Sequence, residues 1–290
     1  MPNFICARCG VQFDETAAPL PRCPICRDPR EHIGPNGQEW TTLEDLARTS
    51  RNTLRPIEPG ISGISTEPVF AIGQRAMLVE TPAGNILWDC ITYIDDETVE
   101  MVKARGGLAA IAVSHPHYYS SMVEWSRRLG GVPVYLHADD AEWVMRPDPC
   151  IVFWKGDWEE IVPGATVIRV GGHFAGSSVL HWQDGAGGKG TLHTGDSIYV
   201  VADKRYVSFM YSYPNLIPLP PSAVERIVSA VDPFPFDRIY GAWWDSIVTE
   251  NARSALEASA RRYIDAVTDP ARPPSGHEPS NRGPASRVAE

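Results

Sequence analysis

Three short apolar strands of this 290-residue chain end on side chains that a hydrophobic core has no use for. "LAAIAVS" runs into "HPHYYS", so a buried strand stops on His115 and His117, with Tyr118 and Tyr119 directly behind. "ATVIRVGG" runs into His173, where two glycines let the backbone come close to a site. "GTLHTG" runs into Asp196. Imidazoles and a carboxylate delivered by separate strand ends suit Zn²⁺ or Fe²⁺, which take neutral nitrogen and anionic oxygen ligands. The other strand histidines, His137, His181 and His193, read as hydrogen-bonded core residues, and His32 and His277 as solvated ones.

A second constraint sits at the N-terminus. Cys6-x-x-Cys9-Gly10 and Cys23-Pro24-x-Cys26 are two knuckles of metal-binding spacing. Four thiolates form a tetrahedral cage that closes the coordination sphere of a structural Zn²⁺, and the metal supplies folding energy that so short a segment lacks. The knuckles also resemble those of the iron-binding rubredoxins, although the intervening loop is short for that family. The expected organisation is therefore a zinc-ribbon-like module over residues 1–35 and a connector over 36–60. A main domain over 61–268 and a disordered Pro/Gly/Ser-rich tail over 269–290 follow. The connector carries one short helix, "TTLEDLART", with Thr41 and Glu44 in capping-box spacing. The module is expected to be separable in chemistry from the main domain, with a connector long enough to wrap and let it pack there.

Strand and helix patterns alternate through the main domain, which gives an α/β class. The order "LWDC", "SHPHYYS", "GGHFAGS", "HTGDSI" resembles the metallo-β-lactamase fold superfamily from about Ile61 to Val267. The resemblance implies an αββα sandwich with metal held by loops at one edge of two sheets. It matches Asp89 to the family's first motif, His115 and His117 to the start of His-x-His-x-Asp-His, and His173 and Asp196 to the third and fourth motifs. It fails at Tyr119 and Ser120, which replace the aspartate and last histidine of the second motif. It fails again at Ala242, Trp243 and Trp244, where a final histidine is missing. The ligands of a first metal are thus kept and those of a second lost. One ion, Zn or Fe, on His115, His117, His173 and Asp196 is implied, with Asp89 orienting a histidine.

A single metal supports hydrolysis of a small ester, lactone, amide or thioester. Tyr119 and Asp196 are the expected acid–base groups, Tyr118 being an alternative to Tyr119. Trp88, Tyr118, Phe174, Tyr199, Trp243 and Trp244 are expected to wall the pocket, with "RYVSFMYSYPNLIPLP" looping over it. Two other classes stand beside the hydrolase. One is a mononuclear Fe(II) oxidoreductase resembling the persulfide dioxygenases, and the other is a non-catalytic metal-binding scaffold.

The formal charge of −10 argues against a nucleic-acid surface. No Gly-rich phosphate loop is present, and a small-molecule substrate is the expected partner. No stretch is long and apolar enough to span a bilayer, and "MPNFICARCG" has no signal-peptide pattern, so a cytoplasmic protein is expected. The oligomeric state is not legible, a dimer being compatible with everything above.

Overall fold

The computed structural model describes residues 1–269. The tail, apart from Asp269, and His277 therefore lie outside the described residues. β1 (Asn3–Cys6), β2 (Gln12–Glu15) and β3 (Trp40–Thr41) form a small antiparallel sheet in the order β2-β1-β3. A seven-stranded sheet follows in plain reverse sequence order. It is built from β4 (Arg51–Glu58), β5 (Ile61–Glu67), β6 (Ala76–Val79), β7 (Ile86–Trp88), β8 (Ala110–Ala112), β9 (Val134–His137) and β10 (Ile151–Trp154). β11 (Trp158–Val162), β12 (Ala165–Arg169), β13 (Ser178–Trp182) and β14 (Thr191–Thr194) begin a six-stranded sheet. β15 (Tyr199–Val200) pairs with β16 (Val207–Ser208), and β17 (Met210–Ser212) with β18 (Ile217–Pro218), in two small ribbons. β19 (Arg238–Tyr240) and β20 (Ile247–Val248) complete the six-stranded sheet beside β14.

Strand side chains alternate between faces, and here both faces are buried. Met77, Val79, Ile86, Trp88 and Ala112 meet Val167, Leu180 and Tyr240 in the core between the two sheets. The intervening Leu78, Leu87 and Ile111 face outward onto helices Asp96–Ala104 and Met122–Arg128. On the second sheet Ile168, Val179, Leu192 and Ile239 pack under helices Pro221–Val231 and Ala252–Thr268. The layers are helix, sheet, sheet, helix, the αββα sandwich that the family resemblance implied. Helix Asp96–Ala104 starts where the Asp95 carboxylate accepts the Thr98 amide at 2.8 Å, satisfying one of its orphan donors.

Two boundaries differ from the sequence reading. The sheet begins at Arg51, inside the expected connector, because β4 is an edge strand. Its one-sided burial and Pro56 hide it from a search for apolar runs, and an edge tolerates a missing donor. The capped turn is Leu43–Leu46, with Thr42, not Thr41, accepting from the Asp45 amide. "VFAIG", which reads as a strand, is irregular, and β11 was not anticipated.

The cysteine module is not a separate body. Val11, Phe13, Ile25 and the four cysteines share one apolar cluster with Ile91, Tyr118, Tyr119 and Met122 of the sandwich. Gln12 N donates to Ser120 O at 2.9 Å, and Thr92 Oγ1 to Gly10 O at 2.9 Å. The sandwich covers the module's outward apolar residues, as a connector long enough to wrap allows.

Candidate metal centre

The parallel strands β7 and β8 and the strand β14 end at the same edge of the sandwich, and the β12–β13 turn lies there too. Ser178 N donates to Ser114 O at 2.9 Å and so ties the two sheets together at that edge. His115, His117, His173 and Asp196 converge here, one ligand atom of each lying within 4.8 Å of all the others. His115 Nε2 is 3.5 Å and His173 Nε2 3.8 Å from Asp196 Oδ2, while His117 Nδ1 is 3.2 Å from His173 Nε2. A tetrahedron with Zn–N bonds of about 2.0–2.1 Å has edges of roughly 3.3–3.4 Å.

The protonation pattern fits a cation. His173 Nδ1 faces the Met210 carbonyl at 3.2 Å, and a carbonyl only accepts, so Nδ1 carries the proton. Burial, with His115 beside it, lowers the His173 pKa to about 3, so the ring is neutral and Nε2 is a lone pair. His117 is likewise held neutral, by burial first and then by His173 and His115. His115 Nδ1 bonds Ser114 Oγ at 2.8 Å, which leaves its Nε2 toward the cage. The cage-facing Nε2 of His115 is buried without a hydrogen-bond partner, while His117 presents Nδ1 to the cage. A buried orphan of this kind costs about 1–3 kcal/mol, which a cation accepting its lone pair removes. Burial alone would raise Asp196, but the His115 and His173 imidazoles and the bond from Tyr118 hold it well below the usual carboxylate range. The donor set therefore fits one divalent metal.

Around the cage, Tyr118 Oη donates to Asp196 Oδ1 at 2.7 Å and Tyr213 Oη to the Asp196 carbonyl at 2.8 Å. Tyr118, not Tyr119, is the phenol next to the candidate ligands. Tyr119 points into the apolar cluster shared with the cysteine module, because the turn after His115 rotates successive side chains by about a third of a circle. Asp89, at φ +59°, accepts the Ser114 amide at 2.7 Å and is raised to about 6 by burial. Its reach to His115 runs through Ser114 and is not direct.

The expected ring wall is only partly assembled. Phe174 lies 4.9 Å from His117 and 5.2 Å from His173, centroid to centroid. Trp243, Tyr199 and Tyr213 form a file of rings leading to His173. Trp88 does not join them: strand alternation turns it into the core between the sheets. Trp244 sits over Arg75 and Arg55, away from the histidines. The histidines themselves are 1–2% exposed, so the cage is closed in this conformation.

Sequence reasoning overlooked three contributors. Gly195 precedes the aspartate, and a Cβ there would lie 2.3 Å from Ser114 Oγ. A glycine directly before a candidate ligand was the available signal. Ser114 itself orients His115. Arg30, from the cysteine module, donates through Nε to the His173 carbonyl at 2.7 Å and covers Phe174 with its guanidinium. Nothing local marks that residue.

The four cysteines form a second group that could hold a metal. Cys6 and Cys26 sulfurs are 3.6 Å apart and those of Cys9 and Cys23 3.7 Å, far too long for a disulfide at about 2.05 Å. Zn–S bonds of about 2.3 Å predict tetrahedral edges near 3.8 Å. Hydrogen bonds from neighbouring thiols pull Cys6 well below the ordinary thiol range. Cys23 and the same crowding push Cys9 and Cys26 above it. Gln38 donates to Cys6 Sγ at 3.2 Å and accepts from the Cys23 amide. Of the remaining histidines, His137 and His181 bond backbone carbonyls and His193 bonds Thr191. Among the described residues no helix is long and apolar enough to cross a membrane.

Comparison with known proteins gives one relative in sequence and a consistent set in structure. The chain is 50% identical over 269 residues to the uncharacterized protein YmaE of Bacillus subtilis (strain 168), covering 92% of this chain and 97% of that one. The metallo-β-lactamase DIM-1, solved after exposure to ceftazidime, superposes with a TM-score of 0.55 at 11% identity, over 75% of this chain and 98% of that one. FIM-1 from Pseudomonas aeruginosa, a metallo-β-lactamase in a mono-zinc form, superposes at 0.52 and 16% identity, over 72% and 96%. VMB-1 superposes at 0.57 and 14% identity, over 75% and 98%. No family model matches the chain.

Proposed function

For a chain that belongs to one family with the Bacillus subtilis protein YmaE and carries the metallo-β-lactamase fold, we propose a metal-dependent hydrolase with one catalytic metal on His115, His117, His173 and Asp196. The observation that carries the reading is the convergence of three buried imidazoles on a carboxylate held ionised, with the Nε2 of His115 buried and partnerless beside it. The mono-zinc form of FIM-1 is a precedent for a single ion on this fold. A divalent metal bound there supplies Lewis-acid activation of water and of a scissile carbonyl. Substrates in keeping with the ring file Trp243–Tyr199–Tyr213 are small organic esters, lactones, amides or thioesters.

The chain's own residues divide the remaining work. Ser114 and the Met210 carbonyl fix the imidazoles in the orientation that aims their lone pairs inward. Tyr118, kept protonated by burial and by Asp196, holds that carboxylate in place and is the phenol we assign as proton donor, in preference to Tyr119. Asp196 keeps its negative charge at the metal position and anchors the Tyr118 phenol.

One observation favours a second reading, a purely structural metal: the histidines are only 1–2% exposed. A single experiment separates the two. Metal-replete protein is screened against nitrophenyl esters, lactones, thioesters and a β-lactam, with His115→Ala as the control. Turnover by the wild type, absent from the variant, supports the hydrolase. A firmly bound metal with no turnover of any class supports the structural reading.

A further inference from the structure

A cavity of about 710 Å³ lies between β11–β12, the turn from Val170 to Ala175 and helix Pro221–Val231. It lies beyond Phe174 from the cage, and none of the four cage residues lines it. That volume is within the range of small-ligand sites, about 300–1,000 Å³. The lining is cationic in a chain of net charge −10: Arg30, Arg169 and Arg226 face one carboxylate, Asp157.

The guanidiniums keep capacity in reserve. Arg30 spends Nε on the His173 carbonyl and Nη1 on Asp28, and its Nη2 has no partner among the described residues. Arg169 spends Nε on the Ala175 carbonyl and Nη2 on Asp139, which leaves Nη1. Arg226 makes no ion pair or hydrogen bond among the described residues. The whole fork of Arg226 matches a carboxylate's two oxygens, and Arg30 and Arg169 each add one free nitrogen. The remaining wall is apolar and aromatic. Trp158 is 59% exposed at the rim with Phe234 6.4 Å away, a large ring kept in water beside a concave surface.

We propose that this cavity is a second binding site, for an organic anion carrying an aromatic body and a carboxylate. The body lies against Trp158 and Phe234, and the carboxylate meets Arg226 and the free nitrogens of Arg30 and Arg169. This goes beyond the hydrolase reading and does not depend on it, since the cage supplies no atom to the cavity.

The test is calorimetric titration of the full chain with phenylacetate and, separately, with inorganic phosphate. Saturable binding of phenylacetate is expected, with phosphate weaker. Arg226→Gln, at an exposed position where folding is not at stake, should weaken phenylacetate binding about tenfold or more. Arg226→Lys should recover part of the loss, and Trp158→Ala should weaken phenylacetate without changing phosphate. The proposal is overturned by any of three results: no saturable heat with phenylacetate, an Arg226→Gln variant that binds it unchanged, or phosphate binding as tightly as phenylacetate.

Discussion

Tyr118 and Tyr119 are adjacent, chemically identical and both buried, yet only one of them reaches a candidate metal ligand. Replacing Tyr118 by Phe strips Asp196 Oδ1 of its donor. Metal affinity at the cage should fall by about ten- to a hundredfold, the usual effect of losing a ligand's hydrogen-bond partner. Tyr119→Phe should leave that affinity unchanged. Competition with a chromophoric chelator reads both, and equal losses would contradict the assignment of Tyr118. Gly195 offers a second residue-level test. A methyl group there collides with Ser114 Oγ, so Gly195→Ala should cost about 1–3 kcal/mol, the range for overpacking. Its denaturation midpoint against the wild type measures this. An unshifted midpoint would mean that the edge yields more easily than its packing implies.

Among the elements, the cysteine module is the one whose role changed most once it was seen in place. Its Pro29–Glu31 segment is held by the far ribbon: Ser212 Oγ donates to Arg30 O at 2.9 Å, and Asn215 Nδ2 to Pro29 O at 2.9 Å. The module therefore braces the turn that carries His173. Cys23→Ser should release the module's metal and make residues 1–41 the first site of limited proteolysis. It should also weaken metal retention at the histidine cage. His115→Ala should empty the cage and leave the module protected. If Cys23→Ser left cage affinity at the wild-type value, the bracing would be irrelevant to the metal. Deleting the module altogether uncovers Ile91, Tyr119 and Met122 and should yield an aggregation-prone chain, not a functional core.

Taken whole, the molecule offers two cages of different chemistry, soft sulfur in one and nitrogen with oxygen in the other. Elemental analysis of purified protein should find about two metal equivalents per chain, with one remaining in either the Cys23→Ser or the His115→Ala variant if each cage holds one ion. Three equivalents would mean that a second ion binds near the histidines although, by the metallo-β-lactamase resemblance, Tyr119 and Ser120 replace second-metal ligands and the stretch Ala242–Trp244 lacks the final histidine.

Both cages and the α/β class were legible because each is written in local pattern, whereas the layering was implied by the family resemblance. Cysteine pairs at fixed spacing announce a thiolate cage, and apolar strands that stop on His115, His173 and Asp196 announce a shared edge. A strand's burial is encoded in consecutive residues, so β7, β8 and β14 could be read from the chain alone. What tertiary structure decided was direction and company. Whether Tyr118 or Tyr119 turns toward Asp196 depends on a single turn of 3₁₀ helix, whose rotation no composition reveals. Trp88 left the expected pocket because a period of two sends it to the opposite face. Arg30 reached His173, 143 positions further along, only because the cysteine module docks across the site. Contacts at that separation depend on how whole layers pack, and packing is a property of the assembled surface, not of any segment that contributes to it.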